Sequence, residues 1–308
     1  MPDLDVVRAK VFDLYQQQKY QQGLVIAQGV AETFPASSSY WIACLQAVQG
    51  QRQQALDALQ DGLNKGAWWS ALMLEKDPDL ESIRQSEDFA RIQAESTRRW
   101  KEAFRPEPDI VVHTPETSPP HVLLIALHGM GSGEEAGTFA NHWSAALDTG
   151  AVVAVPQSSQ PHSPDGGWTW ADESQTDADL RFVYDRITSE HDIDPRRVVL
   201  AGFSQGGRVA ISAALRQHPI PACGFIAVAP AIRDHPIDRD LTGPSLRARI
   251  IVGEQDWVLD SVQTLYATAI DQGQQWSLET VRDLGHDFPP DFTDRLMSAL
   301  TFTIDYSA

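Results

Sequence analysis

The run Val198-Val199-Leu200-Ala201-Gly202-Phe203-Ser204-Gln205-Gly206-Gly207 constrains this chain more than any other stretch. An apolar, β-type segment ends in Gly-x-Ser-x-Gly, and a helix-compatible segment, Arg208 to Gln217, follows. A strand that turns sharply into a helix at a serine lifts that hydroxyl clear of the sheet edge and sets it at the positive end of the helix. Residues two before and two after the serine then come close together, which calls for glycine, and Gly202 and Gly206 fill those positions. Gly207 adds room for the helix to pack on the sheet. Ser204 is therefore the candidate nucleophile. A serine hydroxyl is weak unless a base takes its proton, so the sequence must supply partners.

It does so downstream. Ala248 to Gly253 reads as a buried strand and is followed by Glu254-Gln255-Asp256; Leu278 to Leu284 reads as a last strand and is followed by Gly285-His286-Asp287-Phe288-Pro289. His286 is the only histidine C-terminal to these acids, which makes it the candidate base. Asp256 is the preferred acid. Glu254 is its rival, with a solvated loop carboxylate as the alternative reading, and Asp287 is a weaker one because adjacent side chains rarely reach one imidazole in the needed geometry.

An earlier apolar strand, Val122 to Leu127, runs into His128-Gly129-Met130-Gly131-Ser132-Gly133. A developing oxyanion needs backbone N–H donors, one from the residue after the nucleophile and one from a loop of this kind. Gln205 and Met130 are the candidates, with Gly131 close behind Met130. The same loop is not a dinucleotide fingerprint: the third glycine of G-x-G-x-x-G falls at Glu134, and Glu134-Glu135 opposes a pyrophosphate. The nine histidines are scattered without paired ligand spacing. No cofactor and no metal are expected.

The blocks Leu127 to Ser132, Gly202 to Gly207, Gly253 to Asp256 and Gly285-His286 resemble those of the phospholipase/carboxylesterase group, which includes acyl-protein thioesterases. The resemblance covers residues 108 to 308 and implies an α/β-hydrolase fold and metal-free hydrolysis of esters or thioesters. It also implies catalytic roles for Ser204, Asp256 and His286 and an oxyanion hole at Met130 and Gln205. Small members of the group often have His-Gly-x-Asp and a following Val-Pro, where this chain has Gly-Glu-Gln-Asp-Trp-Val. The Gly-His-Asp-Phe-Pro segment is also similar to peptidase-like and feruloyl-esterase-like relatives, so acyl specificity stays open.

A chain of 308 residues has room for about two domains. Residues 1–105 are rich in Gln, Ala and Leu and lack strand-like alternation. Helices are expected at 3–19, 21–34, 38–49 and 52–65, with a serine of the 37–39 run as an N-cap, and more helix over 81–91 and on through Trp100. Tyr20 to Leu24 aligns with Arg52 to Leu56 at an offset of 32 residues, near the tetratricopeptide period. Residues 1–105 thus resemble one and a half to two degenerate tetratricopeptide-type repeats. Arg105-Pro106-Glu107-Pro108 is the linker. Residues 106–308 form the second domain, whose strands at 109–113, 122–127, 151–155, 197–201, 224–229, 248–252 and 278–282 mostly alternate with helices. That pattern predicts an α/β fold with a mostly parallel sheet and helices on both faces.

The formal net charge of −18 disfavours nucleic acid and anionic membrane surfaces. Cys44 and Cys223 read as free thiols, no run of 18 apolar residues suggests a membrane span, and the N-terminus lacks a signal-peptide pattern. The cytoplasm is the default location. The Gly166-Gly167-Trp168-Thr169-Trp170 loop offers Trp168 and Trp170 as an apolar wall for a substrate, or as loop packing, and Trp257 beside Asp256 is a further pocket candidate, with Gly131. Trp41, Trp68 and Trp69 are assigned to a core.

The expected reaction is hydrolysis of a small acyl ester or thioester through an acyl-enzyme. A peptidase-like enzyme and an interaction protein are the alternatives. The helical domain would either cap the pocket or engage a protein partner, another copy included.

Overall fold

The structure, a computed structural model, describes residues 3–131, 136–233, 237, 241 and 243–304. The readings placed on Ser132, Gly133, Glu134 and Glu135 lie outside the described residues. The chain divides into two units, one comprising Met1–Phe104 with Gln160–Gly167 and the other Arg105–Ser159 with Trp168–Ala308.

In the first unit α1 (Leu4–Gln16), α2 (Tyr20–Gly29), α3 (Pro35–Ala47) and α4 (Arg52–Asn64) each pack on the next, and α5 (Ala71–Lys76) and α6 (Glu87–Glu102) complete it. Its core gathers Leu59, Trp69, Leu74, Leu80, Ile83 and Phe89, with Trp41 half-buried at its margin. The Trp69 indole N–H donates to the Ala36 carbonyl at 2.9 Å, which satisfies the one polar atom of that buried ring.

Two local expectations are corrected here. No serine of the 37–39 run caps α3: Phe34 is the N-cap and Pro35 opens the helix, where its missing N–H costs nothing. Ser38 sits inside the helix and donates to the Ala27 carbonyl at 2.7 Å. Residues 81–85 form turns rather than helix, because Ser86 caps α6 by accepting the Phe89 N–H at 3.2 Å. The segment 160–167, read as part of the second domain, groups with the helices: the Trp100 indole donates to the Pro161 carbonyl at 2.9 Å and the Ser37 N–H to the Asp165 carboxylate at 2.6 Å.

The second unit is built on a seven-stranded sheet. Its strands are β1 (Asp109–His113), β2 (His121–Leu127), β3 (Ala151–Gln157), β6 (Ile193–Phe203), β7 (Gly224–Val228), β8 (Arg247–Gly253) and β9 (Gln275–Val281), in the order β1-β3-β2-β6-β7-β8-β9. The short strands β4 (Pro161–Ser163) and β5 (Gly166–Trp168) pair separately. Within the seven-stranded sheet the β1–β3 pair is antiparallel and the other pairs are parallel.

Alternation along the strands sorts the core into two layers. Leu123, Leu200, Phe225 and Ile250 pack with α8 (Glu173–Glu190), α9 (Gln205–Arg216) and α10 (Leu259–Asp271). Leu124, Val199, Ile226 and Ile251 pack with α7 (Ala136–Trp143) and α11 (Phe292–Ile304). Helices therefore cover both faces of a mostly parallel sheet. Such a sheet collects its functional loops at the carboxyl ends of the strands, where Phe203, Leu127 and Gly253 end β6, β2 and β8.

Candidate active site

β6 passes into α9 through a single strained residue. Ser204 has φ 52° and ψ −116°, and its N–H donates to the Val228 carbonyl at 2.9 Å. The turn leaves no room for side chains on either flank. A Cβ on Gly202 would lie 2.4 Å from the Gly206 carbonyl carbon, and one on Gly206 would lie 2.2 Å from the Leu127 oxygen. The two glycines of the motif are thus required by backbone on both sides. A positive φ at a non-glycine residue is costly and persists where the surrounding structure fixes it.

The loop after β9 brings His286 to this turn. Its Nε2 stands 2.9 Å from Ser204 Oγ, and its Nδ1 stands 3.0 Å from each carboxylate oxygen of Asp256. An ionised carboxylate only accepts, so the Nδ1 proton donates to Asp256 and Nε2 presents its lone pair to the serine hydroxyl. The Asp256 side chain is fully buried, and its Oδ1 also accepts the Val258 N–H at 3.1 Å. The rival acids go elsewhere. Glu254 is exposed, and Asp287 is exposed with its Oδ1 on the Phe288 N–H at 2.7 Å.

Met130 and Gln205 both border the turn. A Cβ on Gly129 would sit 3.4 Å from Ser204 Cβ, so the loop after β2 lies against the nucleophile. Gly131 is corrected as a substitute donor: its N–H is held by the Trp168 carbonyl at 2.8 Å. Among the described residues the backbone N–H groups of Met130 and Gln205 have no hydrogen-bond partner, which leaves both for an incoming oxygen.

The tryptophans separate. Trp257 is 47 % exposed, and its ring lies 5.2 Å from the His286 imidazole, centroid to centroid; the Met130 side chain is also exposed. Trp168 is half-buried, with the Arg105 guanidinium 3.8 Å above its ring. Trp170 is corrected: at 1 % exposure it belongs to the core and cannot wall a pocket. Its indole N–H donates to the His128 carbonyl at 3.0 Å.

Residues the sequence reading passed over complete the surroundings. Phe203, the variable residue before the nucleophile, stacks on Phe288 and lies 5.1 Å from the His286 ring. His128 is buried against Trp170, and burial pulls its pKa down to about 4, so it is neutral at physiological pH. The signal was available: a polar residue directly after the six-residue apolar run Val122–Leu127 must find partners inside.

Among the described residues one group, Cys44, Asp77 and Asp79 in the first unit, brings three metal-ligand types within 4.8 Å of one another. Tyr40 donates to Asp77 at 2.5 Å and Tyr15 to Asp79 at 2.6 Å, while burial pushes the Cys44 thiol up and keeps it protonated. The group reads as an internal hydrogen-bond network.

Comparison with known proteins bears on the fold. Residues 118–262 match the family described as serine aminopeptidase, S33, and residues 11–104 match the family described as A/B hydrolase-like, N-terminal domain. The fold is that of the α/β-hydrolases. A Bacillus cereus protein of uncharacterized function is similar over 98 % of this chain and 99 % of its own, with a TM-score of 0.55 and 23 % identity. Esterase PE8 is similar over 62 % of this chain and 97 % of its own, with a TM-score of 0.52 and 19 % identity. A bifunctional acetylxylan esterase/xylanase, XynS20E of Neocallimastix patriciarum, is 33 % identical over 101 residues, which span 32 % of this chain and 14 % of that protein. Among the described residues no helix is long and apolar enough to cross a membrane.

Proposed function

We propose that the chain is a serine hydrolase that cleaves small carboxylic esters or thioesters, a member of the phospholipase/carboxylesterase kind. The observation that carries this reading is the continuous line from the buried Asp256 carboxylate through His286 to Ser204 Oγ, at 3.0 and 2.9 Å.

In this reading His286 Nε2 takes the Ser204 proton as Oγ attacks the acyl carbon. Asp256 holds the Nδ1 proton and stabilises the imidazolium that forms. The Met130 and Gln205 N–H groups receive the negative charge on the carbonyl oxygen, at a position that the positive end of α9 also favours. The bond to the leaving oxygen or sulfur then breaks, and the leaving group takes the proton from His286. A water repeats the sequence on the acyl-enzyme, releasing the acid and restoring Ser204. Trp257 and the Met130 side chain supply the exposed apolar surface for the substrate. No step calls for a metal or cofactor.

The match to a serine aminopeptidase family supports a second reading, in which the scissile bond is an amide. Steady-state assays separate the two. The ester reading expects the wild type to turn over p-nitrophenyl acetate and a short acyl thioester, with aminoacyl p-nitroanilides far slower. Efficient anilide hydrolysis with inert esters would favour the peptidase.

A further inference from the structure

An oxyanion hole made from two backbone N–H groups works only if two chain segments keep their spacing. Here the segments are the loop after β2 and the first residue of α9. β2 and β6 are neighbours in parallel register, with Leu127 opposite Gly202. That ladder ends where the loop begins, so it cannot by itself fix Met130 against Gln205.

Residues 168–170 bridge the gap. The Gln205 side-chain carbonyl Oε1 accepts the Trp170 backbone N–H at 3.0 Å and the Thr169 hydroxyl at 3.1 Å. The Trp170 indole N–H reaches the His128 carbonyl at 3.0 Å, and the Trp168 carbonyl takes the Gly131 N–H at 2.8 Å. One three-residue segment thus grips the β2 loop on both sides of Met130 and grips α9 at Gln205.

A second set of bonds closes the ring. The His128 imidazole bonds the Gly129 carbonyl through Nδ1 at 2.8 Å, while its Nε2 accepts the Ser158 N–H at 3.2 Å. Ser158 Oγ donates to the Thr169 carbonyl at 2.7 Å. His128, Ser158, Thr169, Trp170 and Gln205 are all buried. A bond broken in such a place leaves a buried polar group unsatisfied, so the arrangement resists drift.

Building on the ester-hydrolase reading, we propose that Gln205, Thr169, Trp170 and His128 form a buried strut that sets the distance between the two oxyanion donors. They are positioning residues: the Gln205 side chain and Trp170 act on the reaction through the Met130 and Gln205 amides and do not touch the substrate. A loosened hole weakens the transition state and spares the ground state.

The test uses the full-length protein. Trp170→Phe keeps an aromatic side chain, though a smaller one, and removes the indole N–H; Thr169→Val removes one bond to Gln205 at nearly unchanged volume. For each variant kcat and KM on a p-nitrophenyl ester, Ki for a trifluoromethyl ketone of the same acyl chain, and the rate of fluorophosphonate labelling at Ser204 are measured. Removal of an oxyanion donor costs about 10²–10³ in kcat, and displacement should cost less. Trp170→Phe is expected to lower kcat about tenfold, weaken the ketone equally and leave KM within about twofold. Thr169→Val is expected to move the same quantities by a smaller factor, and Thr169→Ser to restore them. Wild-type kcat and Ki in both variants would overturn the proposal. So would a KM that rises as much as kcat falls, the mark of a general distortion. If Trp170→Phe fails to fold, the Thr169 valine–serine pair carries the same test. A wild type that is inert to esters and to the probe would remove the ester-hydrolase reading and this proposal with it, whereas an active wild type with insensitive variants overturns the strut alone.

Discussion

Asp256→Asn is the perturbation whose size follows most directly from the geometry. The Val258 N–H at 3.1 Å holds an acceptor at Oδ1, so the asparagine NH₂ takes the Oδ2 place, 3.0 Å from His286 Nδ1, where it donates to the imidazole. Its Nδ1 must then accept, and the imidazole proton moves to Nε2, 2.9 Å from Ser204 Oγ. A protonated Nε2 cannot take the serine proton. The same tautomer fault in a serine protease triad costs about 10⁴ in kcat, or about 5 kcal/mol of barrier. The assay is kcat/KM on p-nitrophenyl acetate at pH 7 for Asp256→Asn, with Glu254→Gln and Asp287→Asn beside it. Both of those carboxylates are exposed, and Asp287 accepts the Phe288 N–H while Asp256 holds the imidazole, so their variants should stay within about twofold of wild type. An Asp256→Asn enzyme within about tenfold of wild type, or a collapse of activity in Glu254→Gln, would refute the assignment of the acid.

Three further outcomes follow from the structure. Gly206→Ala puts a Cβ 2.2 Å from the Leu127 oxygen and should destabilise by more than about 3 kcal/mol or abolish folding, whereas Gly29→Ala, with nothing within 4 Å, should be neutral or stabilising in urea unfolding. His128 has a folded-state pKa of about 4 against an ordinary value of 6.5. The unfolded chain therefore binds the proton first, and stability present above pH 6.5 is lost as pH falls toward 4. Urea unfolding of wild type should lose about 2 kcal/mol more than His128→Gln between pH 7 and pH 4.5, and equal slopes would contradict it. Trp69→Ala, in the core of the helical unit, should cost about 3–5 kcal/mol in thermal unfolding, and a loss below about 1 kcal/mol would contradict its place there.

Much of the second unit was legible because local signals and tertiary structure agree. Val122–Leu127 of β2 and Ala151–Val155 of β3 are unbroken apolar runs, as strands buried on both faces must be, and the glycines of the Ser204 turn announce a backbone approach no other residue permits. The candidate triad residues could be named because each follows a strand end. Trp170 could not be read, because the Trp-Thr-Trp spelling does not tell a ring that faces substrate from one whose N–H finds a carbonyl inside the core. The grouping of 160–167 with the helices was hidden for a related reason: it depends on bonds such as Trp100 to Pro161, far apart in sequence. α7 was missed, since the glycine-rich and acidic residues before it read as loop, and the Ser37–Ser39 run misled because serine favours caps while Pro35, two residues earlier, already opens the helix.

The measurement that tests the central claim most directly is labelling of the purified full-length protein with a fluorophosphonate, followed by peptide mass mapping, for wild type and Ser204→Ala. A nucleophile activated by His286 predicts one adduct, on the peptide bearing Ser204, and none in the variant. An adduct elsewhere, or equal labelling of both proteins, would contradict it.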